Sequence, residues 1–236
     1  MFEPLRIALV GATGLVGKAV IAASVGREDL RLTGIARREA KLPAGARMEL
    51  FVADPAHWGE VLEAARPQVL ICALGTTWNK AGRDEAAFRA VDQALVLDSA
   101  RAALAAGAKR MVAISSVGAA IGAKQLYLRV KGEVERDLAK LGFDRLDILR
   151  PGLLVGPRDH DPRPAERLGQ MVAPLANLAL HGKYRAYRSI DAQIVARASL
   201  SLALKHTRGK YVHDNDAILR AARSLPSVIA TSEGKS

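Results

Sequence analysis

The chain has 236 residues, half of them hydrophobic, with 35 Lys and Arg against 24 Asp and Glu, a formal charge of +11 and an isoelectric point near 10.1. That length suits one α/β domain, numbered 1–236, and no apolar run is long enough to span a bilayer, so no membrane segment is expected. The basic charge is dispersed and aromatic residues make up only 4%, so it reads as a surface that attracts anionic cofactors or substrates and not as a specific nucleic-acid site.

Taken in order, Ile7 to Val10 is an apolar run of strand length that breaks into the turn GATGLVG, with glycines at 11, 14 and 17. A strand meeting a helix at such a turn leaves free helix amides and a bare backbone, which favour the pyrophosphate of a dinucleotide. The spacing is GxxGxxG and not the commoner GxGxxG. This first strand begins within a few residues of Met1 and leaves no room for a secretory leader, so a cytoplasmic location is expected. The lone Cys72, in an apolar run, cannot form an internal disulfide and reads as a small core residue.

Leu30 to Ala36 is the second strand and ends in Arg37-Arg38, where a 2′-phosphate would be held; the pair favours NADP(H) over NAD, the plain alternative being loop charges. Met48 to Val52 is the third strand, and Asp54 beyond it either meets the adenine or caps a helix. Glu60 to Arg66 is a short helix stopped by Pro67. Val69 to Leu74 is a continuous buried strand, and Gly75, Thr76 and Thr77 after it would lie along the cofactor's ribose and phosphates.

One helix is expected from Asp84 to Ala106, with Phe88, Val91 and Leu95 on its apolar stripe. Met111 to Ile114 is the fifth strand and ends in Ser115-Ser116. Leu126 to Leu141 is helical, with Tyr127 and Lys131 four apart and therefore on one face. Leu146 to Leu149 is the sixth strand, followed by Arg150-Pro151-Gly152. Strands and helices alternating in this way indicate an α/β fold, a doubly wound parallel sheet. Residues 1–152 would form the dinucleotide-binding core and 153–230 a small substrate-side region. Within the latter, Gly156 to Arg167 reads as an exposed loop and candidate lid, and a helix near 165–180 is broken by Pro174. The region closes with an amphipathic helix at Ala192 to Lys205, a short strand at Gly209 to Val212 and a last helix at Asp214 to Arg223; 231–236 reads as disordered.

The chemistry converges on Ser115 or Ser116, Tyr127 and Lys131. Tyrosine is a poor acid or base at neutral pH, but a neighbouring ammonium stabilises its phenolate, so Lys131 would tune Tyr127 while a serine orients the substrate oxygen. No group of Cys, His and carboxylates has metal-ligand spacing, so no metal is expected.

In that order and spacing, GATGLVG, Ser115-Ser116, Tyr127-x-x-x-Lys131 and Arg150-Pro151-Gly152 resemble the short-chain dehydrogenase/reductase superfamily, of the atypical GxxGxxG kind. CALGTTWNKAG (72–82), Val91-Asp92, LYLRVKGEVE (126–135) and FDRLDILRPG (143–152) are similar to the Tat-interacting-protein oxidoreductase group. The resemblance implies a Rossmann fold binding NADPH. It implies that Gly11, Thr13, Gly14, Leu15 and Val16 line the pyrophosphate turn and that Arg37 and Arg38 take the 2′-phosphate; Leu74, Gly75, Thr76 and Lys131 are expected along the cofactor from their place at the strand ends and on the helix. Pro151, Gly152, Leu153 and Leu154 would flank the nicotinamide. Two positions depart from the pattern: the serines stand twelve and eleven residues before Tyr127, leaving open which one faces the substrate, and Asp92 stands where many extended members carry Asn.

The reading that follows is an NADP-dependent oxidoreductase acting on a small carbonyl or alcohol. A sugar-nucleotide epimerase or dehydratase shares the hydride chemistry, though only 84 residues follow Gly152 to grip a large substrate. An NADPH-binding sensor without turnover, working through a protein partner, is the alternative from a different class. A homodimer is equally compatible with the sequence.

Overall fold

The structure, a computed structural model, describes residues 3–156 and 182–226. Seven parallel strands form one sheet: β1 (Leu5–Val10), β2 (Leu30–Ala36), β3 (Glu49–Val52), β4 (Val69–Cys72), β5 (Arg110–Ile114), β6 (Arg145–Leu149) and β9 (Gly209–His213), in the order β3-β2-β1-β4-β5-β6-β9. A small parallel pair, β7 (Leu154–Val155) and β8 (Ile190–Asp191), lies apart from it. The strand order reverses between β1 and β4, the doubly wound arrangement in which ligands gather outside the carboxyl ends of the strands.

The central strands β1, β4 and β6 are buried almost throughout because helices cover both faces. On one face α1 (Leu15–Ser24), α6 (Ala192–Ala203) and α7 (Asn215–Arg223) share a core with Leu9, Ile71 and Leu149. On the other, α2 (Trp58–Ala65), α4 (Leu95–Ala105) and α5 (Leu126–Leu138) pack on Ala8, Leu70, Met111 and Ile148 around Phe88 of α3 (Glu85–Arg89). Thus the residues after 190 complete the core, and β9 supplies the seventh strand.

The helix expected over 84–106 is not uniform. Between α3 and α4 the chain makes a π turn, Ala90–Ala94, which carries Asp92 at 0% exposure. A π turn inserts an extra residue into the helical repeat and so re-aims a side chain without a Gly or Pro to announce it. The strand expected to reach Leu74 ends at Cys72, since the Ala73 amide makes the last bond, to the Val10 carbonyl. The loop after Gly156, the helix near 165–180 with Pro174, and 231–236 lie outside the described residues. Among those described, no helix is long and apolar enough to cross a membrane.

Candidate functional site

The glycine turn joins β1 to α1 against the end of β4. Gly11 has φ +82°, and a Cβ there would sit 2.6 Å from the Ala73 carbonyl carbon and oxygen. At Gly17 a Cβ would lie 2.1 Å from the Gly11 carbonyl oxygen. Any side chain at either position displaces backbone, so these glycines keep the crevice between β1 and β4 narrow and bare. Gly14 leads into α1 in an extended conformation, with no side-chain cap and no acidic residue in the first turn. The turn is therefore a cradle that side chains would fill, ending in uncapped amides, and it fits a pyrophosphate. Thr13 and Leu15 are half-buried at this turn, whereas the Val16 side chain belongs to the core, leaving its amide as the group it offers.

Arg37 and Arg38 are exposed just beyond the carboxyl end of β2, next to β1, and neither forms an ion pair among the described residues. Asp54 is also exposed; its carboxylate accepts the Ala56 amide at 2.9 Å and caps the 3-10 turn Pro55–His57, the second of its two expected roles.

Tyr127 and Lys131 stand one turn apart on α5, with the Lys131 Nζ 5.9 Å from the centre of the Tyr127 ring. The ring packs against Phe88, centroids 5.9 Å apart, and Phe88 against Trp78 at 6.2 Å. Lys131 is buried, and its ammonium ion-pairs with Asp92 Oδ1 at 2.8 Å. The other carboxylate oxygen accepts the Thr76 amide at 2.7 Å, which ties the turn after β4 to the same group. Burial alone would push the Lys131 pKa down, but the Asp92 carboxylate and then Tyr127 outweigh it, and the pKa is raised. Outside this pair, Arg89 on α3 donates to Glu133 on α5 at 2.6 Å.

The two serines differ sharply. Ser115 is buried and donates to Glu135 at 2.5 Å, while Glu135 also pairs with the Arg150 guanidinium at the end of β6. Ser116 is half-buried, and among the described residues its hydroxyl has only a long bond, 3.3 Å, to the Val117 carbonyl. Loop and helix meet closely here, since a Cβ on Gly132 would lie 2.4 Å from the Ala120 carbonyl carbon. Glu135 gave no sequence signal beyond lying four residues after Lys131.

Beyond β6, Pro151 is buried, Leu153 is exposed and Leu154 enters β7. The Gly152 amide donates to Asn215 Oδ1 at 2.9 Å, and the Asn215 side-chain amide donates to the Arg188 carbonyl at 2.5 Å. Asn215 thereby anchors the strand end that carries Pro151 to Leu154. Sequence reasoning missed it because it reads as an ordinary residue in a helix's first turn.

Cys72 lies at the end of β4, fully buried, and burial pushes its thiol up to about 11. A thiol so protonated and enclosed is a poor nucleophile. Iodoacetamide at neutral pH is expected to leave Cys72 of the native protein unmodified while alkylating the unfolded chain completely, as read by intact mass.

A family model described as HIM1 matches residues 63–184. The chain is 37% identical over 211 residues to the mitochondrial protein fmp52 of Aspergillus fumigatus, covering 86% of this chain and 89% of that one. It is 31% identical over 229 residues to the mitochondrial protein FMP52 of Candida albicans, covering 92% and 98%. Among solved structures it resembles a UDP-glucose 4-epimerase of Thermus thermophilus in complex with NAD, with a TM-score of 0.66 at 18% identity, over 92% of this chain and 82% of that one. MoeE5 in complex with UDP-glucose and NAD aligns with the same TM-score at 16% identity, over 92% and 81%. The fold is therefore the Rossmann-type α/β fold expected from the sequence. The expected cytoplasmic location is corrected, because the relatives are named as mitochondrial proteins. A first strand beginning at Leu5 reports on the fold and not on the compartment.

Proposed function

The chain belongs to the HIM1 family and is a relative of the Fmp52 proteins, and from that premise we propose that it is an NADP-dependent oxidoreductase of the short-chain dehydrogenase/reductase type, acting on a small carbonyl or alcohol. The finer likeness to the Tat-interacting-protein oxidoreductase group rests on the motifs alone. The observation that carries the proposal is the Tyr127–Lys131 pair on α5, together with a half-buried Ser116 just after β5, at the carboxyl end of the sheet that also carries the bare glycine turn.

Ser116 is the serine free to donate to the substrate oxygen, because the Ser115 hydroxyl is committed to Glu135. Tyr127 gives its phenolic proton to that oxygen in reduction and takes it back in oxidation. Lys131, held charged beside the ring, stabilises the anionic form of the phenol. Gly11, Gly14 and Gly17 with the uncapped α1 amides receive the pyrophosphate, and Arg37 and Arg38 receive the 2′-phosphate. The nicotinamide, when bound, supplies or accepts the hydride.

A second reading, sugar-nucleotide epimerisation, is favoured by the UDP-sugar enzymes that align over most of this chain. It would use the same Tyr127 without net consumption of nucleotide.

Fluorescence titration with NADPH and NADH tests the premise common to both. NADPH is expected to bind more tightly than NADH, and Arg37→Ala/Arg38→Ala is expected to weaken NADPH about tenfold or more while sparing NADH, since each lost charge-assisted bond is worth about 1.5–3 kcal/mol. A preference for NADH, or an unaffected double variant, overturns the NADP assignment; binding of neither overturns the function. Binding of NADPH without consumption against any carbonyl leaves the epimerase and the sensor, which turnover of a sugar nucleotide then separates.

A further inference from the structure

We infer that Asp92 is a positioning residue of this site: its carboxylate is the counter-ion that keeps the buried Lys131 ammonium charged and aimed beside Tyr127, and it fastens the Gly75–Thr76 turn to that ammonium. The inference deepens the oxidoreductase reading and rests on it for the meaning of Tyr127.

Three observations carry it. Asp92 has 0% exposure, and a carboxylate with no access to water persists only where a cation and hydrogen-bond donors replace its hydration. Those groups are present on two separate elements: the Lys131 Nζ at 2.8 Å from α5, and the Thr76 amide at 2.7 Å from the turn after β4. The carboxylate reaches both because it sits on the π turn Ala90–Ala94, whose extra residue breaks the helical repeat where the two elements converge. The Gly75 backbone lies alongside the pair, its Cβ position in ordinary contact with Asp92 Oδ1 at 3.6 Å and Lys131 Nζ at 3.8 Å.

The groups that face Lys131 are few. From the π turn comes Asp92, from α5 itself Tyr127, and from the end of β4 Cys72, whose thiol burial keeps neutral. Glu135, one turn further along α5, is committed to Ser115 and Arg150. Asp92 is therefore the anion that balances the ammonium among the described residues. Without it the largest opposition to burial is gone, only the weaker pull of Tyr127 and Cys72 remains, and the balance moves toward the neutral amine, which no longer stabilises a phenolate.

The test reads Lys131 directly, by 13Cε NMR of lysine-labelled protein without nucleotide, the resonance being assigned with Lys131→Arg. In the wild type Lys131 is expected to titrate at or above the exposed lysines; titration below them overturns the inference without any variant. Asp92→Asn keeps an acceptor for the Thr76 amide while removing the charge and the second acceptor that faces Lys131. It is expected to lower the Lys131 midpoint by about one pH unit or more. An unchanged midpoint, even with a lowered melting temperature, shows a merely structural role and overturns the inference. Since no nucleotide is present, failure of NADPH to bind would sink the proposed function and leave this result standing.

Discussion

Replacing Tyr127 with phenylalanine is expected to lower turnover by about 10²- to 10⁴-fold, the usual contribution of a positioned proton donor, while leaving NADPH binding and the melting temperature unchanged. The substitution removes one oxygen and keeps the ring that packs between Phe88 and the Lys131 ammonium, each 5.9 Å away. No core volume is lost, and Lys131 retains its ion pair with Asp92. The loss therefore reports on proton transfer and not on packing. The measurement is NADPH consumption against a panel of aromatic and aliphatic carbonyls, beside a fluorescence titration of the same preparation. Full turnover in the variant would remove Tyr127 from the chemistry and require the proton to come from elsewhere. Nucleotide binding that fell in step with turnover would mean that the hydroxyl serves the cofactor and not the substrate.

The parts of this molecule that could be read from the sequence are those whose physics is local. Gly11 and Gly17 announce a turn because a side chain at either position would collide with backbone a few residues, or one strand, away. The apolar runs at Ile7 to Val10 and Val69 to Leu74 announce strands buried on both faces, the second two residues too long, and their alternation with amphipathic stretches announces a parallel sheet. Tyr127 and Lys131 could be paired because an interval of four is one helical turn.

What could not be read depends on contacts between distant segments. Ser115 and Ser116 are adjacent at a strand end, where neighbouring side chains diverge, so only the position of Glu135 on a helix twenty residues later shows which hydroxyl is engaged. The π turn at Asp92 has no breaker in AVDQA to betray it; its conformation answers to Lys131 and the Thr76 amide, neither of them local. Asn215 matters through Gly152 and Arg188, which lie 63 and 27 residues away. The departure from the extended pattern at Asp92 was visible as a letter, but its meaning came from burial beside an ammonium.

Glu135→Ala tests the other buried charge that holds the site. Glu135 accepts from Ser115 at the end of β5 and from Arg150 at the end of β6, so one carboxylate pins α5 to two strand ends. Removing one partner of a buried pair costs about 3–5 kcal/mol because the other charge is left uncompensated. Arg150 keeps about a third of its side chain in water, which moves the expectation to the lower end, about 3 kcal/mol. For a chain of this length that is a fall in melting temperature of about 6–12 °C. Arg150→Met in the same background is expected to recover part of the loss, since it withdraws the stranded guanidinium. Turnover should fall more than stability alone explains at a temperature where the variant is folded, because Ser116 and Tyr127 are set by the strand end and helix that Glu135 joins. A variant with an unshifted melting temperature would mean that water replaces the carboxylate, and that the serine loop is held instead by the close approach of Gly132 to Ala120.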